Sequence, residues 1–215
     1  MTKTKKTTRE KKEHTCGGDA KVAYPLFLEE KGGAVPTSPL QLFVKRISKL
    51  TASKFYERWH YLGKSGFIST INYGAYYDGW IVGAISYGAP NATEMKGYFD
   101  RHNQEGWWEI KRLAMTDSAP KNCESRFIAV SIRLLRKSAK VIGIVTLADS
   151  GVGHVGTIYK ASGFTYLGLS APKKDFYVNG KIQQRGKTKG KKGEWRDRSQ
   201  KHQFIKQFLE RRKND

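Results

Sequence analysis

The stretch 147–164, LADSGVGHVGTIYKASGF, places three closely spaced glycines, and a fourth at 163, among side chains that can transfer protons or bind a ligand. Gly151, Gly153 and Gly156 have the spacing of a dinucleotide-binding fingerprint, in which a phosphate approaches backbone N–H groups at a helix start. That fingerprint also requires the first strand of a βαβ unit and an acidic ribose-binding residue about 20 residues further on. Here the preceding strand comes late in the chain and a hairpin pattern follows, which argues against a nicotinamide or flavin site. The glycines then form either a plain strand-to-helix turn or a loop that passes close to a donor or a base.

Two polar side chains of the same stretch are candidate functional groups. Asp149 ends an apolar run, where open sheets place ligand-handling groups, so its carboxylate can orient an amine or accept its proton. The alternative is an ordinary helix cap. His154 stands at a predicted helix start and can contact a donor or a metal. We keep Asp149 as a candidate catalytic residue and assign His154 and the three glycines to substrate binding.

The elements that must position these residues mix α and β patterns. Asp78-Gly79 and Asn179-Gly180 are dipeptides typical of tight hairpin turns. The pattern predicts, in order, a helix over 51–63, a hairpin over 68–88, a strand over 107–115, a helix over 124–140, a buried strand over 141–148, a helix over 154–164, a strand over 164–170 and a hairpin over 175–186. This order predicts an α+β (mixed α/β) fold, with a central sheet flanked by helices.

Composition points to a polyanionic partner. The 215 residues include 40 Lys or Arg and 19 Asp or Glu, for a formal net charge of +21. Nucleic acid is the leading candidate, because this charge exceeds what solubility requires. An anionic membrane surface is the competitor, but no apolar run approaches the roughly 18 residues of a spanning helix. The cysteines, Cys16 and Cys123, form no CxxC pair, and we expect a cytoplasmic protein without disulfides.

The charge is concentrated towards the two ends of the chain. We expect a disordered basic arm over 1–36, a catalytic domain over 37–180 and a basic extension over 181–215. The extension contains a Gly/Lys segment and then a helix-like end, and we expect it to be partly helical and to contact DNA. Solubilising charge is the alternative explanation of both ends.

The segment 159–164, YKASGF, resembles the closing segment of acyltransferases of the GNAT superfamily, and the order of elements agrees with that fold. The resemblance implies a mixed, mostly antiparallel central sheet. The superfamily's diagnostic loop for the donor pyrophosphate would lie at 116–125, TDSAPKNCES, which contains no glycine. The usual coenzyme A clamp is therefore missing from its expected position.

Five motifs together resemble the Mom family of phage DNA-modification proteins. They are 60-HYLGKSG-66, 83-GAISYG-88, 109-EIKRLAM-115, the stretch 147–164 and 201-KHQFI-205, and the resemblance spans roughly residues 40–208. It implies a GNAT-like fold and an enzyme that converts the exocyclic N6 amine of adenine in DNA to a carbamoylmethylated form. That modification protects phage DNA from host restriction.

The resemblance also implies roles for single residues. Arg112 aligns with a functional arginine of the family, and its planar fork can hold a phosphate or a carbonyl oxygen, although a solvated strand face is the alternative. Tyr159 would donate a proton to a leaving group, or else be a core tyrosine. Ser131 aligns loosely with a family serine. The remaining candidates are His60 and Tyr61, of which one can line the cleft, and Tyr73, which can stack on an extruded base.

The donor is left open between acetyl-CoA and a glycyl donor, carried on a small molecule or a carrier. Simple acetyl transfer lacks the nitrogen of the carbamoylmethyl product, whereas a glycyl unit is its isomer. Iron has been associated with the family, but His60, Asp149 and His154 have no standard ligand spacing, so no metal site is assigned. Double-stranded DNA is the expected partner, with base flipping, and the sequence indicates no oligomeric state.

Two other functions remain open from the sequence. One is an ordinary coenzyme A-dependent acetyltransferase of proteins or small molecules, against which the glycine-free segment 116–125 argues. The other is a non-catalytic basic DNA-binding protein, for which charge alone would suffice.

Overall fold

The computed structural model describes residues 36–63, 66–91, 98–99, 102–183 and 188–208. The predicted arm 1–36 therefore lies outside the described residues except for its last position, and so does Cys16. The described elements are β1 Phe43–Arg46, α1 Lys49–Trp59, β2 Ile71–Tyr77, β3 Trp80–Gly88, β4 Trp107–Met115, α2 Cys123–Ser138, β5 Gly143–Asp149, α3 Thr157–Ala161, β6 Thr165–Leu169, β7 Lys173–Val178, β8 Lys181–Ile182, β9 Glu194–Arg198 and β10 Lys201–Gln207. Two short 3-10 helices cover Pro39–Gln41 and Ser150–Val152.

The strands form a main sheet and a smaller second sheet. The main sheet has seven strands in the order β1-β2-β3-β4-β5-β10-β6, and the second has the order β8-β7-β9. The pairs β1–β2, β2–β3, β5–β10 and β10–β6 are antiparallel. The predicted mixed α/β class with a mostly antiparallel sheet is confirmed.

The chain divides into two compact units, of which the first comprises residues 1–89 and 110–139. Helix α1 starts at Ser48, whose side chain accepts a hydrogen bond from the Thr51 backbone N–H. Its buried face consists of Ala52, Phe55, Tyr56 and Trp59, which pack with Ala84 of β3. The predicted hairpin is confirmed, because Asp78 and Gly79 both have positive φ, as a tight two-residue turn requires.

The second unit comprises residues 90–109 and 140–215. Strand β5 has its residues 143–146 fully buried, as its continuous apolar run predicts. Helix α3 is shorter than predicted, five residues instead of the range 154–164, because its N-cap is Gly156 and its C-cap is Ser162. The second hairpin is confirmed at Asn179 and Gly180, which join β7 to β8 with positive φ.

The prediction of a partly helical C-terminal extension is wrong for its described residues. Residues 201–207 form β10, which pairs with β5 on one side and β6 on the other. Phe204 and Ile205 are 0% and 2% exposed, and as neighbours in a strand they point to opposite faces. An interior strand buried on both faces carries no apolar–polar alternation, which is why the pattern resembled a helix. The sheet therefore extends beyond the predicted domain boundary at residue 180.

Among the described residues, no helix has the length and apolar character that crossing a membrane would require.

Candidate functional site

The first unit contains a cavity of about 320 Å³ between α1, the segment that follows it, and β4. One wall is a polar stripe of α1, since Lys49, Ser53 and Glu57 are spaced four residues apart and share one helix face. The remaining lining residues are Gly63, Gly66, Phe67 and Arg112. The cavity thus combines two cationic side chains, a carboxylate, a hydroxyl and an aromatic ring.

Arg112 is the buried charge of this cavity. Its side chain is 4% exposed, and Nη1 donates a hydrogen bond to the Gly63 carbonyl at 3.3 Å. The guanidinium lies 4.9 Å from the centroid of Phe67 and 5.8 Å from that of Tyr56, within cation–π distance. Burial lowers the pKa of Arg112 from its ordinary value, and the nearby Tyr56 and Tyr61 act in the opposite direction. An arginine stays protonated at neutral pH even so. The result is a fixed, desolvated cation at the cavity wall.

A buried chain of hydrogen bonds fixes the strand that carries Arg112. The Tyr56 hydroxyl donates to the Arg112 carbonyl at 3.2 Å and lies 2.8 Å from the Ser86 hydroxyl. Ser86 in turn donates to Asn72 Oδ1 at 2.6 Å. Tyr56, Ser86 and Asn72 are all buried, so this chain ties α1, β2 and β3 to the backbone of Arg112.

The structure links His60 and Tyr61 to Arg112 through the ring of Tyr56. His60 caps the end of α1, and its ring stacks on Tyr61 with centroids 4.5 Å apart and meets Tyr56 edge-on at 5.7 Å. Tyr61 is 36% exposed, while both tyrosines act on the pKa of Arg112. Three predicted site residues, Arg112, His60 and Tyr61, therefore form one aromatic and cationic group.

Ser131 and Tyr73 lie deeper in the same unit. Ser131 is fully buried on α2; its hydroxyl lies 2.7 Å from that of Tyr87 and donates to the Ile128 carbonyl at 3.0 Å. Tyr73 is 4% exposed and packs edge-on against Tyr87 at 6.2 Å. Stacking of Tyr73 on an extruded base would require its ring to leave this position, and the roles of both residues stay predictions.

In the second unit, Asp149 is held by three donors at the end of β5. Its carboxylate accepts hydrogen bonds from Ser199 Oγ at 2.7 Å and from the Gly151 N–H at 3.0 Å, and it forms an ion pair with Lys201. Burial raises the pKa of Asp149, but the hydrogen bonds from Lys201, Ser199 and Gly151 outweigh that effect and lower the pKa below its ordinary value. A stabilised carboxylate is a weak base, and this geometry is that of a cap on the 3-10 helix Ser150–Val152.

The glycines of the opening stretch serve the turn geometry. Gly153 and Gly156 have φ values of 76° and 73°, in the region that other residues rarely adopt. A Cβ at Gly156 would overlap the Phe204 ring, whereas a Cβ at Gly153 would meet no atom within 4 Å. Gly151 lies against Ser199, and the His154 N–H donates to the Asp149 carbonyl at 3.1 Å. The binding roles of these four residues stay predictions.

Tyr159 and Asp149 point to opposite faces of the β5–β10 pair. Tyr159 is 8% exposed and lies against Phe164 and Phe204, with centroids 5.9 and 5.5 Å away. Lys201 stands opposite Asp149 in the register and is three positions from Phe204, so the two side chains of β10 alternate to different faces. The unit therefore does not bring Asp149 and Tyr159 together.

Several site residues were missed by the sequence-based interpretation. Lys49, Ser53, Glu57 and Phe67 line the cavity, and Ser199 and Lys201 hold Asp149. The available signal for Lys49, Ser53 and Glu57 was their four-residue spacing, of which only Ser53 and Glu57 fall in the predicted helix 51–63, since the helix starts earlier, at Lys49. For the last two no local signal exists, because they lie 50 or more residues from Asp149 in sequence. Within the described ranges, no group of three or more His, Cys, Asp or Glu side chains could hold a metal ion.

Comparison with known proteins gives matches in sequence and in structure. The methylcarbamoylase mom of Escherichia phage Mu is 27% identical over 146 residues, which cover 67% of this chain and 61% of the relative. The chain thus spans less than two thirds of the length of that relative.

Solved acetyltransferases give the structural matches. An N-acetyltransferase from Staphylococcus aureus Mu50 is 13% identical, with a TM-score of 0.46 and coverage of 77% of this chain and 97% of that one. A GNAT family acetyltransferase from Brucella melitensis, in complex with acetyl-CoA, is 15% identical, with a TM-score of 0.42 and coverage of 58% and 82%.

The model of the Mom protein family matches residues 41–214, which include β1 to β10 and both candidate sites. This match covers well over half of the 215 residues, and the chain belongs to the Mom protein family.

Proposed function

We propose that this chain is a transferase that converts the exocyclic N6 amine of adenine in DNA to its carbamoylmethylated form and so protects phage DNA from restriction. Membership of the Mom family supports a DNA-modifying role, and one relative in that family is called a methylcarbamoylase. The net charge of +21 suits a DNA substrate. The observation that carries the proposal is the cavity of about 320 Å³ with Arg112 buried in its wall.

The cavity has the size and lining expected for an extruded base. Its volume of about 320 Å³ lies at the lower end of the roughly 300–1,000 Å³ typical of ligand sites. Phe67 supplies an apolar ring to the cavity wall, and we expect the 36% exposed ring of Tyr61, which lies outside the lining and stacks on His60, to supply a second one when a base enters. Enzymes that act on a base in a duplex extrude it, at a cost of a few kcal/mol, and phosphate contacts from the basic surface offset that cost.

Arg112 would act on the electrophile. Adenine N6 is a poor nucleophile, because its lone pair is delocalised into the ring, so the site must polarise the group that it attacks. A guanidinium fixed by Gly63, Phe67 and Tyr56 needs little reorganisation to stabilise a developing negative charge on a carbonyl oxygen. Glu57, on the α1 wall of the same cavity, can accept the proton that the N6 amine loses when its new bond forms. Asp149 is poorly suited to this, because its pKa is lowered.

The donor proposed here is a glycyl unit. A glycyl group, –CO–CH2–NH2, is an isomer of the carbamoylmethyl group, –CH2–CO–NH2, so transfer and rearrangement need no separate nitrogen source. In cells that express the protein and are fed isotopically labelled glycine, the carbamoylmethyl substituent should carry label, measured as the excess over the unmodified deoxyadenosine of the same DNA, because purine rings also take label from glycine. A modified base with no more label than unmodified deoxyadenosine would contradict the glycyl donor and favour an acetyl-CoA route with a separate nitrogen source.

The test of the function is nucleoside analysis of DNA from expressing cells. The wild-type protein should yield a deoxyadenosine heavier by one carbamoylmethyl unit, and Arg112→Ala should lower the yield by about 10²-fold or more. Arg46→Ala on the exposed strand β1 is the matched control and should retain the wild-type yield. Unmodified adenine from folded, well-expressed wild-type protein would overturn the proposal and leave a DNA-binding protein or an acetyltransferase of other substrates.

A further inference from the structure

The second sheet, β8-β7-β9, plays no part in either candidate site. It lies within residues 173–198, which contain ten Lys or Arg and three Asp or Glu. All five residues of β9 are exposed, among them Trp195, which is 59% exposed. Burying so large an apolar ring would stabilise the fold, so the exposure of Trp195 in a strongly basic segment suggests that the ring contacts a partner.

The register places Trp195 on a defined face of this sheet. Trp195 stands opposite Phe176, and the two rings lie 5.1 Å apart. Phe176 is only 8% exposed, so the indole of Trp195 packs against a buried ring on one side and is open to solvent on the other. Lys174 and Lys181 share this face, since strand alternation places them with Phe176 and with Val178, the partner of Lys181. The face thus carries the indole ring on the edge strand β9, and beside it Lys174 of β7, which pairs with Asp197, and Lys181 of β8.

The acidic side chains of the segment are each matched by a neighbouring cation. Asp197 lies 3.8 Å from Lys174, Asp175 lies 3.8 Å from Arg198, and Glu194 pairs with Arg196. In the described parts of the segment, 173–183 and 188–198, the cations in excess of these pairs are Lys173, Lys181, Lys189, Lys191 and Lys192. This excess gives the surface a net positive charge that the sheet itself does not neutralise.

We propose that the β8-β7-β9 sheet is a DNA-binding surface, on which the excess lysines contact phosphates and Trp195 stacks on an unpaired base or a deoxyribose. This assignment rests on the proposed function, in that it takes DNA as the substrate. Lysines act as phosphate ligands without reading sequence, and an aromatic face stacks on any base. A protein-binding face would instead have an apolar surface around the tryptophan and few lysines. The proposed reaction requires an extruded base. Extrusion exposes the faces of bases in the DNA, and the indole of Trp195 can stack on one of them.

Fluorescence anisotropy with the full chain tests this surface. The probes are a fluorescein-labelled duplex and the same duplex with one unpaired adenine. Trp195→Ala should weaken binding of the second probe by about tenfold, with a smaller effect on the fully paired duplex. Trp195→Phe should lie between wild type and Trp195→Ala. Phe43→Ala, which removes an exposed aromatic ring of β1, is the matched control and should bind as wild type does.

The salt dependence separates the two parts of the proposal. Replacing both Lys191 and Lys192 with alanine should reduce the slope of log affinity against log salt by about two, since each phosphate contact contributes about 0.9. Trp195→Ala should leave that slope unchanged. Affinities within twofold of wild type for both variants, with melting temperatures unchanged, would overturn the assignment. A fall in molecular mass by light scattering in Trp195→Ala would also overturn it and identify the face as a contact between copies.

The outcome distinguishes this inference from the function on which it rests. If Trp195→Ala binds DNA as wild type does and cells that express it still contain modified adenine, the proposed function is supported and the proposed DNA-binding surface is contradicted. Trp195-dependent DNA binding without any modified nucleoside from the wild type would support the surface and remove the proposed reaction.

Discussion

Glu57 is the carboxylate on the wall of the Arg112 cavity. Replacing this single residue tests whether it acts in the reaction or in DNA binding. Glu57→Gln keeps the size of the side chain but removes its ability to accept a proton. We expect a decrease of about 10²-fold in the rate of adenine modification with unchanged DNA affinity, measured by single-turnover nucleoside analysis. Lys54→Gln controls for loss of a surface charge, because Lys54 is exposed on the same helix, as Glu57 is, but does not line the cavity. An equal rate in Glu57→Gln would remove Glu57 from the mechanism.

Cys123 is a fully buried thiol at the start of α2. Burial, with a smaller contribution from Glu124, raises its pKa to about 11. The thiolate is the reactive form, so in a Cys16→Ser background the folded protein should not react with a thiol reagent at pH 7–8. Reaction should become stoichiometric when the protein is unfolded in guanidinium chloride. Rapid labelling of the folded protein would show that the start of α2 opens to solvent.

The residues of the cavity show what the sequence can predict at this scale. Arg112, which lines the cavity, was predicted from motif resemblance, and the predicted residues His60 and Tyr61 lie outside the lining but connect to it through Tyr56. Lys49, Ser53 and Glu57 were not found, because a polar stripe on a helix has the same pattern whether it faces solvent or a cavity. The fold decides between those two environments, and it does so through contacts with β4 that no local pattern encodes.

The turn before α3 is the element whose glycines first suggested a phosphate site. Gly156→Ala should destabilise the protein by about 2–4 kcal/mol, because an alanine there adopts an unfavourable positive φ and its Cβ overlaps Phe204. Gly153→Ala has the same φ problem but open space, and should cost only about 1 kcal/mol. Urea unfolding measures both values. Equal losses would mean that the turn moves away from Phe204 and that packing does not require the glycine.

At the scale of elements, the sequence predicts hairpins and amphipathic helices well and interior strands poorly. The two hairpins form at Asp78-Gly79 and Asn179-Gly180 because these residues accept positive φ. Helix α1 buries Phe55 and Trp59 as their spacing predicts. Strand β10 was predicted as helix because its apolar residues, adjacent in sequence, are buried on opposite faces by different neighbours. Only the pairing with β5 and β6 reveals this, and those partners lie far away in the chain.

The stability of the whole molecule should depend on pH through Asp149. Its pKa is lowered by folding, so its contribution is fully present above the unfolded value of about 3.9 and is lost as the pH falls through the lower folded value. Asp149→Asn should therefore be less stable than wild type by about 1–3 kcal/mol at pH 7, and this difference should shrink below pH 4. Urea unfolding at pH 7, 5, 4 and 3 measures it.

Ser199→Ala provides the companion measurement, because it removes one of the three donors to Asp149 and leaves Lys201 in place. It should show a smaller loss of stability at pH 7 than Asp149→Asn does. A stability difference between wild type and Asp149→Asn that stays constant from pH 7 to pH 3 would mean that the carboxylate contributes through shape alone.

The position of β10 in the sheet also determines when the sheet can close as the chain is synthesised. Strands β5 and β6 leave the ribosome before residues 201–207. In the folded sheet β10 lies between them and pairs antiparallel with both. Until β10 has been synthesised, both strands present unpaired backbone N–H and C=O groups at an open edge. Closure of this part of the sheet is therefore a late event of synthesis, made by contacts of long sequence separation, which form slowly. Rapid production of the protein would keep many such open-edged nascent chains in the cell at once, and chaperone capacity would limit the yield of the folded protein.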